Sequence, residues 1–290
     1  LYTDFRYWAM VRRLAPDMDM RDIRKLGEGA ISRASRVGFE GSIPYSTYAR
    51  ILKLSNDAEF KDVEKKILEL RAVKTPAEIA MIAKAERLTL NIWREGSKLF
   101  RPGMSEIGMA RILKKLMIER ADAEAFETIV CIGENAAECH HVPDGTVWDG
   151  VKPVLVDLGV RLGGVCSDLT RNLVPAGASR EYRRIYSIVK KANREAIAAA
   201  RPGIAADRLD KIARDIIADA GYGECFGHSL GHGVGYEIHE APTLSRRNHT
   251  TLAPGMVVTI EPGIYLEGEA GVRIEDLVVI TENGCKVLSR

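Results

Sequence analysis

The sequence lacks any apolar run approaching the ~18 residues of a membrane-spanning helix. It also lacks an excess of charge: the formal net charge is only +2, which gives no argument for a nucleic-acid or anionic-membrane partner. No CxxC pair occurs among the five cysteines, Cys131, Cys139, Cys166, Cys225 and Cys285. An odd number at irregular spacing favours reduced thiols in a cytoplasmic protein over a disulfide framework. There is no HExxH zinc motif and no glycine-rich loop ending in GK[ST]. The glycines of Gly231-His232-Gly233-Val234-Gly235 sit in no βαβ unit, so they do not read as a nucleotide loop. Leu1 stands where a methionine would, which predicts that the front of the chain is missing.

What is present is a globular composition, 46% hydrophobic and 28% charged, over 290 residues. A chain of that length can bury a substantial core in one large domain or two ordinary ones. Residues 1–72 read as the C-terminal part of a small α/β domain: a strand-like Leu1–Trp8, a polar helix, and a short strand over Arg36–Gly41. A charged stretch from Asn56 to Arg71 leads to Thr75-Pro76-Ala77-Glu78. That is a helix start, with Thr75 as N-cap, proline at the first helical position and Glu78 closing a capping box. Residues 73–290 then form a second, larger domain.

That second domain contains an internal repeat. Arg101-Pro102-Gly103-Met104 recurs as Arg201-Pro202-Gly203-Ile204, and each copy is followed by an amphipathic helix. Met109, Ile112, Leu116 and Met117 of the first helix correspond to Leu209, Ile212, Ile216 and Ile217 of the second. A helix also precedes each copy, the second marked by Tyr182, Ile185, Val189, Ala192, Ala196 and Ala199 at three-and-four spacing. Further on, the segment Trp148–Gly159 lines up loosely with Leu252–Gly263, which sets Asp157 against Glu261. The expectation is an α+β domain of two related halves with a site between them.

The acids inside those strands carry the chemistry. Asp157 follows Val154-Leu155-Val156, and Glu261 follows Val257-Val258-Thr259-Ile260. An ionised carboxylate in such surroundings costs several kcal/mol unless a cation or dense hydrogen bonding offsets it. Asp168 lies eleven residues after Asp157, and Glu275 fourteen after Glu261. Gly163-Gly164, and Gly268 with Gly271, are placed to turn the chain so that the second acid returns beside the first. Each acid alone has a plainer reading, as a turn residue paired with a basic neighbour: Arg171 for Asp168, Arg273 for Glu275. Four together would repel and take up protons unless divalent cations neutralised them. An imidazole is supplied at His232, between glycines. All six histidines (140, 141, 228, 232, 239 and 249) fall in residues 140–249, with His141 and His249 the expected bystanders.

At these residues the sequence resembles the pita-bread metallopeptidases, in the branch of Xaa-Pro aminopeptidases and prolidases. The matching segments are VDLGVRLGGVCSDLTR (156–171), GHSLGHGVGYEIHEAP (227–242), VVTIEPGIY (257–265) and GVRIEDLVVIT (271–281), in the family's order. The resemblance covers roughly residues 62 to 288. It implies a pseudo-two-fold pita-bread catalytic domain at 73–290 behind a truncated creatinase/prolidase-like domain at 1–72. It also implies Asp157 on one metal, His232 and Glu261 on the other, and Asp168 and Glu275 bridging. By the same resemblance His140, in the GENxxxxH segment, together with His239 and His228, faces the substrate, and Arg273 lies beside the last ligand. Glu261 is in addition a candidate to pass a proton to the leaving nitrogen.

Four oxygen donors and one imidazole suit Mn²⁺ or Co²⁺, and also accommodate Zn²⁺ or Fe²⁺. Two such ions ~3.5–4 Å apart activate a shared water for attack on a peptide carbonyl. The implied substrate is a peptide or dipeptide containing proline, with no nucleic acid and no membrane as partner, in a cytoplasmic homodimer. Two alternatives stay open. One is a methionine aminopeptidase-type exopeptidase, which shares the ligands but not the Arg-Ile-Glu-Asp context. The other is a peptide-binding module without activity, for which one or more ligands should be lost.

Overall fold

The computed structural model of the chain describes residues 1–28, 31, 33–55 and 57–290. Asn56, which opens the charged stretch, lies outside them. The chain forms two compact units, Leu1–Glu69 and Leu70–Arg290.

The first unit contains two small parallel pairings. β1 (Tyr2–Thr3) pairs with β2 (Arg21–Asp22), and β3 (Arg36–Phe39) with β4 (Glu59–Asp62). Helices α1 (Phe5–Leu14) and α2 (Tyr45–Leu54) are interspersed, and α3 (Glu64–Ala72) begins in this unit and ends in the second. The strand expected over Leu1–Trp8 is therefore corrected to two residues. Asp4 caps α1, its carboxylate accepting the Arg6 N–H at 2.9 Å, and the helix takes the remaining aromatic positions. Phe39, Tyr48 and Phe60 pack their rings together, with centroids 4.8 to 6.4 Å apart.

The second unit opens with α4 (Pro76–Gly96), started by the Thr75/Glu78 capping box. The first half continues with α5 (Glu106–Arg120), β5 (Ala123–Glu124), β6 (Ile129–Ile132), β7 (Val154–Leu158), β8 (Val160–Leu162), β9 (Val165–Cys166) and β10 (Leu169–Leu173). The second half has α6 (Arg180–Ala199), α7 (Ala206–Asp219), β11 (Gly231–Gly233), β12 (Glu240–Leu244), β13 (Val257–Ile260), β14 (Gly263–Leu266), β15 (Ala270–Arg273), β16 (Asp276–Ile280) and β17 (Cys285–Val287).

The repeat is built into the backbone. Gly103 and Gly203 take φ of +90° and +85°, conformations that glycine adopts without a steric penalty. The Gly103 N–H donates to the Trp148 carbonyl at 2.8 Å, and that of Gly203 to the Leu252 carbonyl at 2.9 Å. Return bonds run from Trp148 N–H to Met104 and from Leu252 N–H to Ile204. Each half thus folds the start of its second helix against the segment entering its acid-bearing strand.

In the first half β7 is the middle strand of β10–β7–β6, so Asp157 lies between Thr170 and Ile129. In the second half the sheet order is β12–β11–β13–β16–β17, with antiparallel neighbours. Leu113, Met117, Ile132, Val156 and Leu169 belong to one buried apolar cluster, and Ile185, Leu209, Ile217, Val258 and Ile280 to another. Among the described residues no helix is long and apolar enough to cross a membrane.

Gly163 and Gly164, at φ +59° and +87°, turn β8 into β9, and Gly268, at +70°, turns β14 into β15. Gly271 makes no turn. It sits within β15, where a Cβ would fall 1.7 Å from the Ala136 carbonyl oxygen, so its smallness serves close packing.

Candidate metal centre

Asp157 projects from the middle of β7, and Glu261 from the residue just past β13, both strands buried almost throughout. Asp168 sits between β9 and β10, and Glu275 between β15 and β16, both buried. His232 is the centre of the three-residue β11. Donor atoms of Asp168, His232 and Glu275 all lie within 4.8 Å of one another. His232 Nε2 is 3.3 Å from Glu261 Oε1 and 3.5 Å from Asp168 Oδ2. The plainer pairings do not form: Arg171 bonds Asp276, and Arg273 bonds Asp157.

The electrostatics describe a cluster short of positive charge. Burial, then repulsion from Glu275, Asp157 and Glu261, drives the Asp168 carboxyl well above the ordinary range. Glu275 is driven up by burial and then by Glu261 and Asp157. Burial lifts Glu261 to about 7, with Asp157 pushing the same way and Arg273 against it. Burial lowers His232 to about 4, so its ring is neutral near pH 7. Its Nδ1 lies 3.1 Å from the Gly233 carbonyl, which assigns the proton there and turns the Nε2 lone pair towards two carboxylates. One Asp157 oxygen is buried with no hydrogen-bond partner.

An imidazole lone pair facing carboxylates, an orphaned carboxylate oxygen and acids that would otherwise hold protons are all relieved by divalent cations among them. Histidine ligands commonly spend the other ring nitrogen on a backbone carbonyl, as His232 does. The donor set therefore fits.

Arg273 joins the halves. Its guanidinium donates to Asp157 Oδ2 at 2.7 Å, to Thr170 Oγ1 at 3.0 Å and to the Tyr265 hydroxyl at 3.0 Å. The Thr170 hydroxyl donates onward to Glu275 Oε2 at 2.8 Å. Tyr265 also meets His228 Nε2 at 2.8 Å, while His228 Nδ1 faces the Ser229 carbonyl at 2.8 Å. Both ring nitrogens of His228 are thus committed inside the protein, and burial lowers its pKa to about 4. His239 is exposed, its ring centroid 4.2 Å from that of His232. Partial desolvation, and then the nearby His140, lower its pKa. His140 is exposed.

The other two histidines face elsewhere. His249 pairs with Asp207, and His141 lies between Glu106 and Glu138. Glu106, His141 and Asp144 form a second group with ligand-like spacing. The oxygens of Glu106 already accept from the Ile132 and Asp144 N–H groups and from Asn135 Nδ2.

Tyr265, Thr170 and Glu86 escape a reading of the sequence alone. Tyr265 stands inside VVTIEPGIY, where an aromatic two residues past a glycine is the available signal. Thr170 has none. Glu86 is an acid in the middle of the apolar face of α4, between buried Ile82, Ala85, Thr89 and Leu90. Its carboxylate accepts the Asp168 N–H at 3.2 Å.

Comparison with known proteins adds an independent finding. The profile of Metallopeptidase family M24 matches residues 80–282, and that of the Creatinase/Prolidase N-terminal domain residues 1–73. A protein of Pyrococcus furiosus called Xaa-Pro dipeptidase is 41% identical over 261 residues, covering 90% of this chain and 75% of that protein. The crystal structure of the prolidase from Pyrococcus horikoshii superimposes with a TM-score of 0.95 at 37% identity, over 100% of this chain and 84% of the other. The X-Pro aminopeptidase of Thermotoga maritima gives a TM-score of 0.92 at 33% identity, over 100% and 85%.

Proposed function

The chain belongs to metallopeptidase family M24, and on that footing we propose that it is a dinuclear-metal exopeptidase that hydrolyses the Xaa-Pro bond of dipeptides. One observation carries the reading: donors from two related halves meet where Asp168, His232 and Glu275 lie within 4.8 Å, and among the described residues Arg273 is the one lysine or arginine paired with a donor carboxylate. The name of the Pyrococcus furiosus relative supports a dipeptide substrate and disfavours the methionine aminopeptidase alternative.

Asp157, Asp168, His232, Glu261 and Glu275 would hold the ions, Mn²⁺ or Co²⁺ by the hardness of the set. Bound there, divalent ions polarise a carbonyl and activate water near neutral pH. The remaining steps fall to the chain. Arg273 fixes Asp157 and, through Thr170, Glu275, so that acids of opposite halves keep their spacing. His239, neutral with a single N–H, donates to the carbonyl oxygen of the scissile bond as charge builds on it. Glu261 takes up the proton released by the attacking water and delivers it to the departing proline nitrogen. That nitrogen carries no N–H in the substrate, so a site selective for it offers shape rather than an acceptor. His228 holds Tyr265 in place, and His140 closes the exposed side. A homodimer in the cytoplasm completes the reading; all five cysteines are free.

The test is metal analysis with hydrolysis of Ala-Pro and Ala-Pro-Ala. We expect two Mn²⁺ per chain, rapid release of proline from Ala-Pro and little cleavage of the tripeptide. Preference for Ala-Pro-Ala would make the protein an aminopeptidase instead. A metal-free chain that binds Ala-Pro uncut would sink the proposal in favour of a binding module. Glu275→Ala should reduce turnover to background and weaken metal retention.

A further inference from the structure

Glu86 has no part in the chemistry proposed above, yet it lies under both acids expected to bridge the metals. It projects from the middle of α4 with 0% of the residue exposed. One of its oxygens accepts the backbone N–H of Asp168 at 3.2 Å, and the other is buried with no partner. The Ser289 side chain lies beside the same carboxylate. Ser289 Oγ in turn accepts the N–H of Leu277, two residues beyond Glu275, at 2.7 Å. The Ser289 carbonyl accepts from Arg171 at 3.1 Å, and that guanidinium also bonds Asp276 Oδ1 at 2.9 Å and the carbonyl of Glu275. Polar contacts therefore lead from the backbone of Asp168, through Glu86 and the neighbouring Ser289, to the carbonyl of Glu275 and the two residues that follow it. One turn further along α4, Thr89 Oγ1 meets Ser167 Oγ at 2.7 Å and holds the residue before Asp168.

A carboxylate here is costly, since a buried acceptor without a partner forfeits its hydration. An apolar side chain would suit the neighbouring Ile82, Ala85 and Leu90 of the same helix better. What an apolar side chain could not do is tie the two acid-bearing turns, drawn from different halves, to one helix.

We propose that Glu86 is a positioning residue of the metal centre, setting the spacing of Asp168 and Glu275 and hence the affinity for the second of two divalent ions, without touching substrate. This rests on the two-metal reading above. Groups that orient metal ligands typically contribute 10–100-fold in metal affinity or activity.

The experiment titrates the chelator-stripped 290-residue chain with Mn²⁺ by calorimetry, and measures KM and kcat for Ala-Pro at saturating Mn²⁺. In Glu86→Leu one of the two Mn²⁺ sites should weaken by about 10–100-fold while KM stays within about two-fold. Glu86→Gln keeps an oxygen for the Asp168 N–H and should recover Mn²⁺ affinity to within about three-fold of the parent. Ser289→Ala, which cuts the path at its other end, should weaken the same site. A folded Glu86→Leu that binds both ions as tightly as the parent overturns the proposal, as does a raised KM with metal affinity intact. If Glu86→Leu does not fold by circular dichroism, Ser289→Ala decides, and parental affinity there overturns it. A parent that binds no pair of Mn²⁺ ions and leaves Ala-Pro intact is the separate failure of the two-metal reading.

Discussion

In the metal-free protein the buried acids and the buried histidines titrate with opposite consequences. His228 and His232 fall from 6.5 to about 4, so the stability they contribute is present above pH 6.5 and lost as pH drops through 4. Glu261 rises from 4.5 to about 7, so its contribution is intact below 4.5 and lost as pH climbs through 7. Asp168 and Glu275 are likewise raised well above the ordinary carboxyl range, so theirs is also lost as pH rises. Above pH 6.5 the part due to these two histidines is complete, and the acids ionise against one another. Ligand carboxyls must be ionised to bind metal, so stabilisation by a fixed concentration of Mn²⁺ should grow from pH 6.5 to about pH 8. The measurement is the difference in Tm between loaded and stripped protein; a flat or shrinking difference counts against the donor set. The five proposed donors stand out in the sequence for different reasons: Asp157 and Glu261 are acids in apolar strands, His232 lies between glycines, and Asp168 and Glu275 follow the first two acids after glycine turns. Thr170 and Tyr265 act through neutral hydroxyls that meet Arg273 from a distance in sequence. Nothing about a hydroxyl in a strand announces such a meeting.

At the scale of elements, β11 shows how closely strands must approach to present His232. A Cβ on Gly231 would fall 2.1 Å from the Thr259 carbonyl oxygen, and one on Gly233 2.3 Å from that of Ala241. The His232 N–H also donates to Thr259 Oγ1 at 3.0 Å, and the same hydroxyl donates to Glu261 Oε1 at 3.0 Å. Gly231→Ala should therefore push β11 away from β13, costing about 1–3 kcal/mol, and release metal as well. Gly203→Ala is the control. Nothing lies within 4 Å of its Cβ position, so at φ +85° it carries backbone strain alone, about 1 kcal/mol, with metal retained. Urea unfolding with metal analysis reads both, and a Gly231→Ala protein of parental stability would refute the packing argument. The glycines around His232 signal this approach in the sequence, as the paired Arg-Pro-Gly turns signal the repeat. Leu1–Trp8 misleads because its aromatics suit a strand and a helix equally, and Asp4 alone marks the cap that decides between them. Gly271 misleads because a glycine at a turn and one under a neighbouring backbone look the same in one dimension.

Across the whole second unit, the apolar and the charged contacts divide between different places. Each half has its own apolar cluster, and a third joins Val165 and Cys166 of the first half to Val234, Val257 and Leu277 of the second. The donors sit at that same join, with Asp157 and Asp168 from one half and His232, Glu261 and Glu275 from the other. Metal bound by the proposed donors would act as a cross-half tie, and its removal would leave repulsion opposing the shared apolar cluster. Free metal at 100 times its Kd stabilises the folded state by about 2.7 kcal/mol per site. For a unit of this size, the loss of two such sites corresponds to a fall in Tm of roughly 11–22 °C on chelation. Hydrogen exchange should locate the effect. Amides of β7, β10, β13 and β16 should lose protection together, whereas those of α1 and α2 in the first unit should not change. Loss confined to one half would mean that the metals brace a single sheet and leave the join between the halves to apolar packing and the Arg273 bonds.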